Sequence, residues 1–329
     1  ARHMHSGGVI PGLTPRQCNA TIGSTQRRKG QRRCGRSMYP NSEFLFFLRN
    51  WNDVQGFIGL STAYFIHLAS LLQCDLGISG AIGEIGVAAG KSFTVLAFTR
   101  RANESMLACD LFAPGVELDN VPEANVPMFL DLLDFVNLPK DHVSILRRSS
   151  LQLTDLDLLA VAGGAGEKGV SNGTIYHSLQ VSGGPVGFPG FRLFHVDGAH
   201  YAEATLSDLN IAACSLVPGG IVLVDDMHNL RWPGVQEGFH RFMNAKPQVR
   251  QLEPFLFTGR LFLTTPGYAE AYRQAFRQAM PALRSRPFYG VELLTSQEVS
   301  IAVKDFEDLI AGHRPRADIS SWLEDQGIT

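Results

Sequence analysis

The chain has 329 residues, 45% of them hydrophobic, and a formal net charge of −2 at pH 7. That length can bury a large core, as one α/β domain with appendages or as two domains. The five cysteines (Cys18, Cys34, Cys74, Cys109, Cys214) are scattered and contain no C-x-x-C pair. This argues against a disulfide framework or a zinc knuckle and makes a reducing compartment the expectation.

Residues 1–42 mix Gly, Pro, Ser and Arg without periodicity, which predicts a poorly ordered basic tail. No acid precedes Glu43, whereas Arg27, Arg28, Lys29, Arg32, Arg33 and Arg36 crowd together. Such a segment reads as a transit peptide, a cloning remnant or a nucleic-acid-seeking arm. The expected location is cytoplasmic, or organellar if the tail is a transit peptide. Over residues 43–79 apolar residues recur at helical spacing ("EFLFFLRNW", "LSTAYFIHLASLLQ"), which predicts a helical cap. The most apolar run, 57–74, is broken by Ser61, Thr62, His67, Ser70 and Gln73, so it reads as a buried helix and not a membrane span.

From residue 80 short β-rich runs alternate with helix-like segments, the pattern of parallel βαβ units. The predicted strands are 80–87, 105–112, 142–149, 191–198 and 219–226, followed by a hairpin around Thr258-Gly259. A Gly-rich stretch at about 162–190 reads as a mobile surface insertion. The main α/β domain is thus expected over 80–265, with a helical C-terminal extension over 266–329.

The segment "GEIGVAAGKS" (83–92) resembles a phosphate loop in ending Gly90-Lys91-Ser92, but its first glycine falls one residue late, at Gly86. Its glycines also miss the G-x-G-x-x-G spacing of a dinucleotide site, and Glu84 would repel a pyrophosphate. An acid at this turn suits a cationic ligand such as the ammonium of a methionyl group, which points to S-adenosylmethionine. Glu84, Gly86, Gly90 and Ser92 are therefore assigned to the cofactor. Asp110, closing the second strand, can accept hydrogen bonds from the hydroxyls of an adenosine ribose.

Asp197 ends the fourth strand, and Asp225 and Asp226 end the fifth, so neighbouring strands bring three carboxylates to one edge. Anions this close repel unless a cation lies between them, and oxygen donors suit Mg²⁺, Mn²⁺ or Ca²⁺. His200, three residues after Asp197, is placed to take a proton from a bound hydroxyl. His195 is expected to face a helix. Trp232, with His228 and Arg231, either lines an acceptor pocket or packs internally.

"EIGVAAGKS", "ACD", "HVDGAHYAEATLSDL" and "LVPGGIVLVDD" together resemble the class I S-adenosylmethionine-dependent methyltransferases, particularly metal-dependent O-methyltransferases of sugars and other small molecules. The resemblance implies a Rossmann-like, doubly wound α/β sheet of seven strands, mostly parallel with the last antiparallel. It also implies that Asp197, Asp225 and Asp226 are metal ligands, His200 the general base, and Ser149 and Ser150 neighbours of the adenine. The implied reaction is methylation of a hydroxyl on a sugar, a natural-product diol or a catechol. The alternatives are an NAD-dependent oxidoreductase, or an RNA methyltransferase using the basic arm. A small-molecule acceptor is the expected partner, without nucleic acid or membrane, and self-assembly is left open.

Overall fold

A computed structural model describes residues 41–113, 125–163, 190–245, 252–296 and 299–312. Almost all of the predicted basic tail and of the Gly-rich insertion lies outside the described residues. Two helices, α1 (Asn41–Arg49) and α2 (Leu60–Asp75), come first, α1 starting inside the predicted tail. Then follow β1 (Ala81–Ile85), α3 (Lys91–Ala97), β2 (Met106–Asp110), α4 (Val126–Phe135), β3 (Val143–Arg147), a 3-10 turn (Ser150–Gln152), α5 (Asp155–Ala162) and β4 (Phe191–Val196). The rest runs α6 (Ala202–Ser215), β5 (Leu216–Val224), α7 (Pro233–Asn244), β6 (Glu253–Phe257), β7 (Leu261–Thr264), α8 (Ala269–Ala279), β8 (Arg284–Phe288), β9 (Val291–Thr295) and α9 (Val303–Ile310).

The strands form one sheet in the order β3-β2-β1-β4-β5-β7-β6-β9-β8. β1 lies between β2 and β4 and is parallel to both, so the winding reverses there and opens a crevice at the carboxyl ends of β1 and β4. β7 is antiparallel to both β5 and β6, as the Thr258-Gly259 hairpin predicts. The expected count of seven strands is corrected to nine among the described residues. β9 adds to β6 in parallel, and β8 pairs with β9 through the Tyr289-Gly290 turn. That hairpin lies in the extension predicted to be helical. Its first strand, Arg284–Phe288, is almost wholly exposed and carries no apolar alternation to announce it.

Side-chain alternation splits the sheet into two apolar faces. Ile82, Met106, Ala108, Leu193, Ile221 and Leu223 pack under Phe65, Leu68, Phe93 and Tyr272 of α2, α3 and α8. Leu107, Phe194, Val222 and Val224 pack on the other face against Leu209 and Ala213 of α6 and Phe239 of α7. Helix α2 is buried along most of its length, as its run of apolar residues predicts. Among the described residues no helix is long and apolar enough to cross a membrane.

At the amino end of the sheet a buried ionic network joins α2, α3 and β4. Arg192 is fully buried and donates through Nε and Nη2 to Glu104 Oε1 and Oε2 at 2.7 and 2.8 Å. Its remaining N–H groups reach Gln73 Oε1 (3.0 Å), Ser70 Oγ (3.2 Å) and Thr99 O (2.7 Å). Glu104 also accepts from the backbone N–H of Arg101 at 2.9 Å. Burial opposes ionisation of Glu104, but the Arg192 charge outweighs it and holds the carboxyl below its usual range. Cys74 and Cys214 are each disulfide-bonded, which the scattered spacing of the cysteines does not announce, while Cys109 is a free, buried thiol.

Candidate active site at the ends of β1, β4 and β5

β1 runs into a turn in which Gly86, Ala88 and Gly90 have φ of +83°, +47° and +93°. A Cβ at Gly86 would lie 1.7 Å from the carbonyl oxygen of Asp197, and one at Gly90 would lie 2.6 Å from the ring of Phe129. Both glycines are thus required by the protein's own close packing. Gly86 in particular brings the turn of β1 against the backbone that carries the first acid of the cluster. Lys91 does not face the turn as a phosphate-loop lysine would. Its Nζ donates to Trp51 O at 2.6 Å and stands 4.5 Å over the Trp51 ring, which ties the chain after α1 to α3.

Asp110 braces the same turn from β2, its Oδ2 accepting from Ala88 N (2.8 Å) and its Oδ1 from Phe112 N (2.7 Å). Each oxygen retains a second lone pair, the capacity a ribose diol needs. Ser149 caps the 3-10 turn by accepting from Leu151 N at 3.3 Å, and Ser92 is buried in the first turn of α3. Ser150 is buried and directed at Asp208 of α6. Burial pushes Asp208 up to about 7, with the Ser150 hydroxyl offsetting only part of the shift.

Glu84 is fully buried in β1, and its Oε1 lies 2.6 Å from His195 Nδ1. Arg260, in the turn before β7, donates from Nε to His195 Nε2 at 3.0 Å. A guanidinium only donates, so His195 Nε2 is the accepting nitrogen and Nδ1 carries the proton that bonds Glu84. His195 does lie on the α2 side of the sheet, but its ring is spent sideways, between β1 and β7, and not on a helix. Burial raises the pKa of Glu84, and the bond to His195 offsets part of that rise. Glu84 Oε2 has no hydrogen-bond partner of good geometry among the described residues, although the Ser92 hydroxyl is near enough to offset part of the rise as well.

The predicted acids form two groups that share Asp197, one with Asp226 and the other with Asp225. Ligand atoms of Asp197, His200 and Asp226 lie within 4.8 Å of one another, as do those of His195, Asp197 and Asp225. Asp226 has φ +55°, a left-handed conformation that aspartate tolerates better than most residues and that re-aims its side chain after β5. Its Oδ1 accepts from Asn229 Nδ2 (2.9 Å), and its Oδ2 stands 3.0 Å from His200 Nε2. Asp225 Oδ1 accepts from Asp226 N (2.8 Å), while Asp225 Oδ2 is ion-paired to Arg260. The same Arg260 nitrogen bonds Phe57 O and lies 3.8 Å from Asp197 Oδ2.

Charge divides unevenly over this cluster. Burial works against Asp197, but the His200 hydrogen bond and the Arg260 charge hold its pKa down at about 2. Burial and the Asp197 charge push Asp225 well up. Burial would lower the pKa of His200, yet Asp197 and Asp226 raise it to about 9. His200 stacks on Trp232 at 4.4 Å between ring centroids, so the Trp packs against the histidine.

Sequence reasoning missed Arg260 and the Glu84–His195–Arg260 chain. A lone arginine at a hairpin turn between apolar runs, in "FTGRLFL", was the available signal. It had no partner within reach along the chain, so nothing in sequence spacing marked it.

The residues fit both missing groups the sequence suggests. The buried Glu84 Oε2, without a hydrogen bond of good geometry, suits a cationic methionyl end, and the oxygen-rich cluster suits a hard divalent ion. Residues 84–227 match the family described as "Methyltransferase domain". The glycine turn and the acidic cluster thus both lie within the stretch that matches a methyltransferase domain.

No curated protein matches the chain. Among solved structures it is similar to apo CalS11, a TDP-rhamnose 3'-O-methyltransferase of calicheamicin biosynthesis, at 18% identity and a TM-score of 0.42, covering 69% of this chain and 88% of that one. It is also similar to the O-methyltransferase NovP, at 14% identity and a TM-score of 0.43, covering 63% of this chain and 81% of that one. A third is an O-methyltransferase from Bacillus cereus in complex with SAH, at 13% identity and a TM-score of 0.39, covering 69% of this chain and 93% of that one.

Proposed function

We propose that the enzyme methylates a hydroxyl of a small molecule, a sugar or natural-product diol or a catechol, with a divalent ion at the acidic cluster. The observation that supports the reading is Asp197, grouped with His200 and Asp226 and also with Asp225, beside the glycine turn of a stretch that matches a methyltransferase domain.

S-adenosylmethionine would supply a sulfonium methyl group, and a divalent ion would supply Lewis acidity toward the acceptor oxygen. Glu84 and the backbone of Gly86 would hold the methionyl end, with Gly90 and Ser92 completing the turn. Asp110 would hold the ribose, with Ser149 and Ser150 toward the adenine. Asp197, Asp225 and Asp226 would hold the ion, Mg²⁺ being the first candidate and Mn²⁺ or Ca²⁺ the others. His200 is the base that removes the acceptor proton. With its pKa raised to about 9 by Asp197 and Asp226, it is charged at neutral pH when those acids lack another cation, and a base must be neutral. A divalent ion on the same carboxylates would relieve that demand, which links cation binding to the base. Stacking on Trp232 keeps the imidazole oriented at the cluster.

The methyltransferase match gives no support to the nicotinamide alternative. The RNA alternative rests on the basic arm, which lies outside the described residues. Methyl transfer assayed over a panel of sugars and catechols tests the proposal. Chelator is expected to stop turnover, Asp226→Ala to resist rescue by added Mg²⁺, and His200→Ala to lose turnover while still binding S-adenosylhomocysteine in calorimetry. Undiminished turnover of both variants in chelator would refute it.

A further inference from the structure

We infer that Arg260 is the built-in cation of the acidic cluster and sets how weakly that cluster takes a divalent ion. The inference rests on the proposed reading of Asp197, Asp225 and Asp226 as a cation site. Arg260 enters from the turn before β7 and is nearly fully buried. Its position is fixed at three points: Nε on His195 Nε2 at 3.0 Å, and Nη2 on both Phe57 O and Asp225 Oδ2. His195 is in turn held by Glu84 at 2.6 Å, so the guanidinium is anchored through a buried chain to β1.

An arginine on a surface could swing away when an ion arrives. This one is bonded on the side away from the acids as well as toward them, so it stays. Two consequences follow. Asp225 Oδ1 is taken by Asp226 N and its Oδ2 by Arg260, so Asp225 is the least available donor of the three. In addition, a fixed positive charge 3.8 Å from Asp197 Oδ2 repels any ion placed between the acids. Three carboxylates and one guanidinium leave a formal charge that a single divalent ion cancels, given a neutral His200. Without Arg260 the cluster would be more negative by one and would hold the ion more tightly. Arg260 is thus a positioning residue that keeps the ion exchangeable and Asp225 in place.

Mn²⁺ binding followed by electron paramagnetic resonance, on the full chain at constant pH and ionic strength, tests this. Arg260→Gln is expected to bind Mn²⁺ at least tenfold more tightly than the parent, while Arg260→Lys, which keeps the charge, stays within about threefold of it. Equal or weaker binding by a folded Arg260→Gln variant would overturn the role of Arg260 and leave the cation site standing. No binding by parent or variant would instead remove the cation site itself, and the inference with it. If Arg260→Gln fails to fold, the unaltered chain still decides the matter. Titration with Mg²⁺ must shift the Arg260 Nε–H and His195 ring resonances, and resonances unmoved once Mg²⁺ has saturated the protein would overturn the inference.

Discussion

Strand β4 carries a charged cluster at each end, and the two are built to opposite rules. At its start, Arg192 and Glu104 pair through two hydrogen bonds, and Gln73, Ser70, Thr99 and Arg101 satisfy what remains. Just past its end, Asp197 meets Asp225, Asp226 and His200, and Arg260 is the only arginine pairing with the acids among the described residues. Buried polar groups that satisfy one another completely fix a structure. Groups of one charge held together with too little compensation cost stability, and that cost is accepted at sites that bind or react.

The largest effect should come from breaking the satisfied end. Arg192→Met leaves Glu104 buried without its main counter-charge, and removing one partner of a buried pair costs about 3–5 kcal/mol. Urea denaturation of the variant should show that loss. Replacing Glu104 by Met as well should restore much of it. A loss under about 1 kcal/mol in the single variant would show that the network is not structural and that the contrast between the ends is false.

The next effect belongs to the open end and depends on pH. The His200 pKa is raised from 6.5 to about 9, so the folded chain holds a proton that the unfolded chain releases. This contribution is fully present below about pH 6.5 and is lost as pH rises through about 9. In chelator, about 2–3 kcal/mol should disappear across that window, discounted for the partial exposure of the ring. His200→Gln should flatten the profile. An equally steep profile in His200→Gln would assign the dependence to other groups.

How much of this was legible in the sequence follows from which contacts are local. The five parallel strands, the hairpin after them and the strand-end acids could be read because apolar periodicity and turn residues lie within short windows. Asp197 and His200 are three residues apart and Asp225 and Asp226 adjacent, so their convergence needed only the inference that β4 and β5 are neighbours. The β8–β9 hairpin stayed hidden because Arg284 and Arg286 face solvent. Arg260 and His195 stayed hidden for a different reason. Their partners, Asp225 and Glu84, are distant in sequence, and a buried arginine looks like any other until its carboxylates are placed.

A smaller gain should come from Asp208, buried under the same loop. A Cβ added at Gly198 would lie 2.6 Å from its Oδ2, and its carboxyl oxygens lack a hydrogen-bond partner of good geometry among the described residues. With its pKa raised to about 7, it costs stability progressively as pH climbs from about 4 to about 7, and the cost is constant above that. Asp208→Asn should therefore raise stability by about 1–2 kcal/mol at pH 8 and by little at pH 4. Thermal unfolding at the two pH values measures the difference. A variant less stable at pH 8 would mean that the carboxylate is held by a partner and stabilises the fold.

The smallest stability change is expected from Asp226→Asn, and it separates the two ends most sharply. The substitution removes one of three crowded anions, keeps the shape of the side chain, and retains an oxygen to accept from Asn229. Relief of repulsion from Asp197 and loss of the His200 ion pair oppose each other, so the net change should stay within about 1 kcal/mol. Turnover should nevertheless fall by at least a hundredfold, because the lost charge is the one that the proposed cation and the proposed base would share. Large destabilisation with turnover intact in the folded fraction would make the upper cluster a second structural network. Near-neutral stability with turnover lost would leave β4 with one end that holds the fold and another that the fold holds ready.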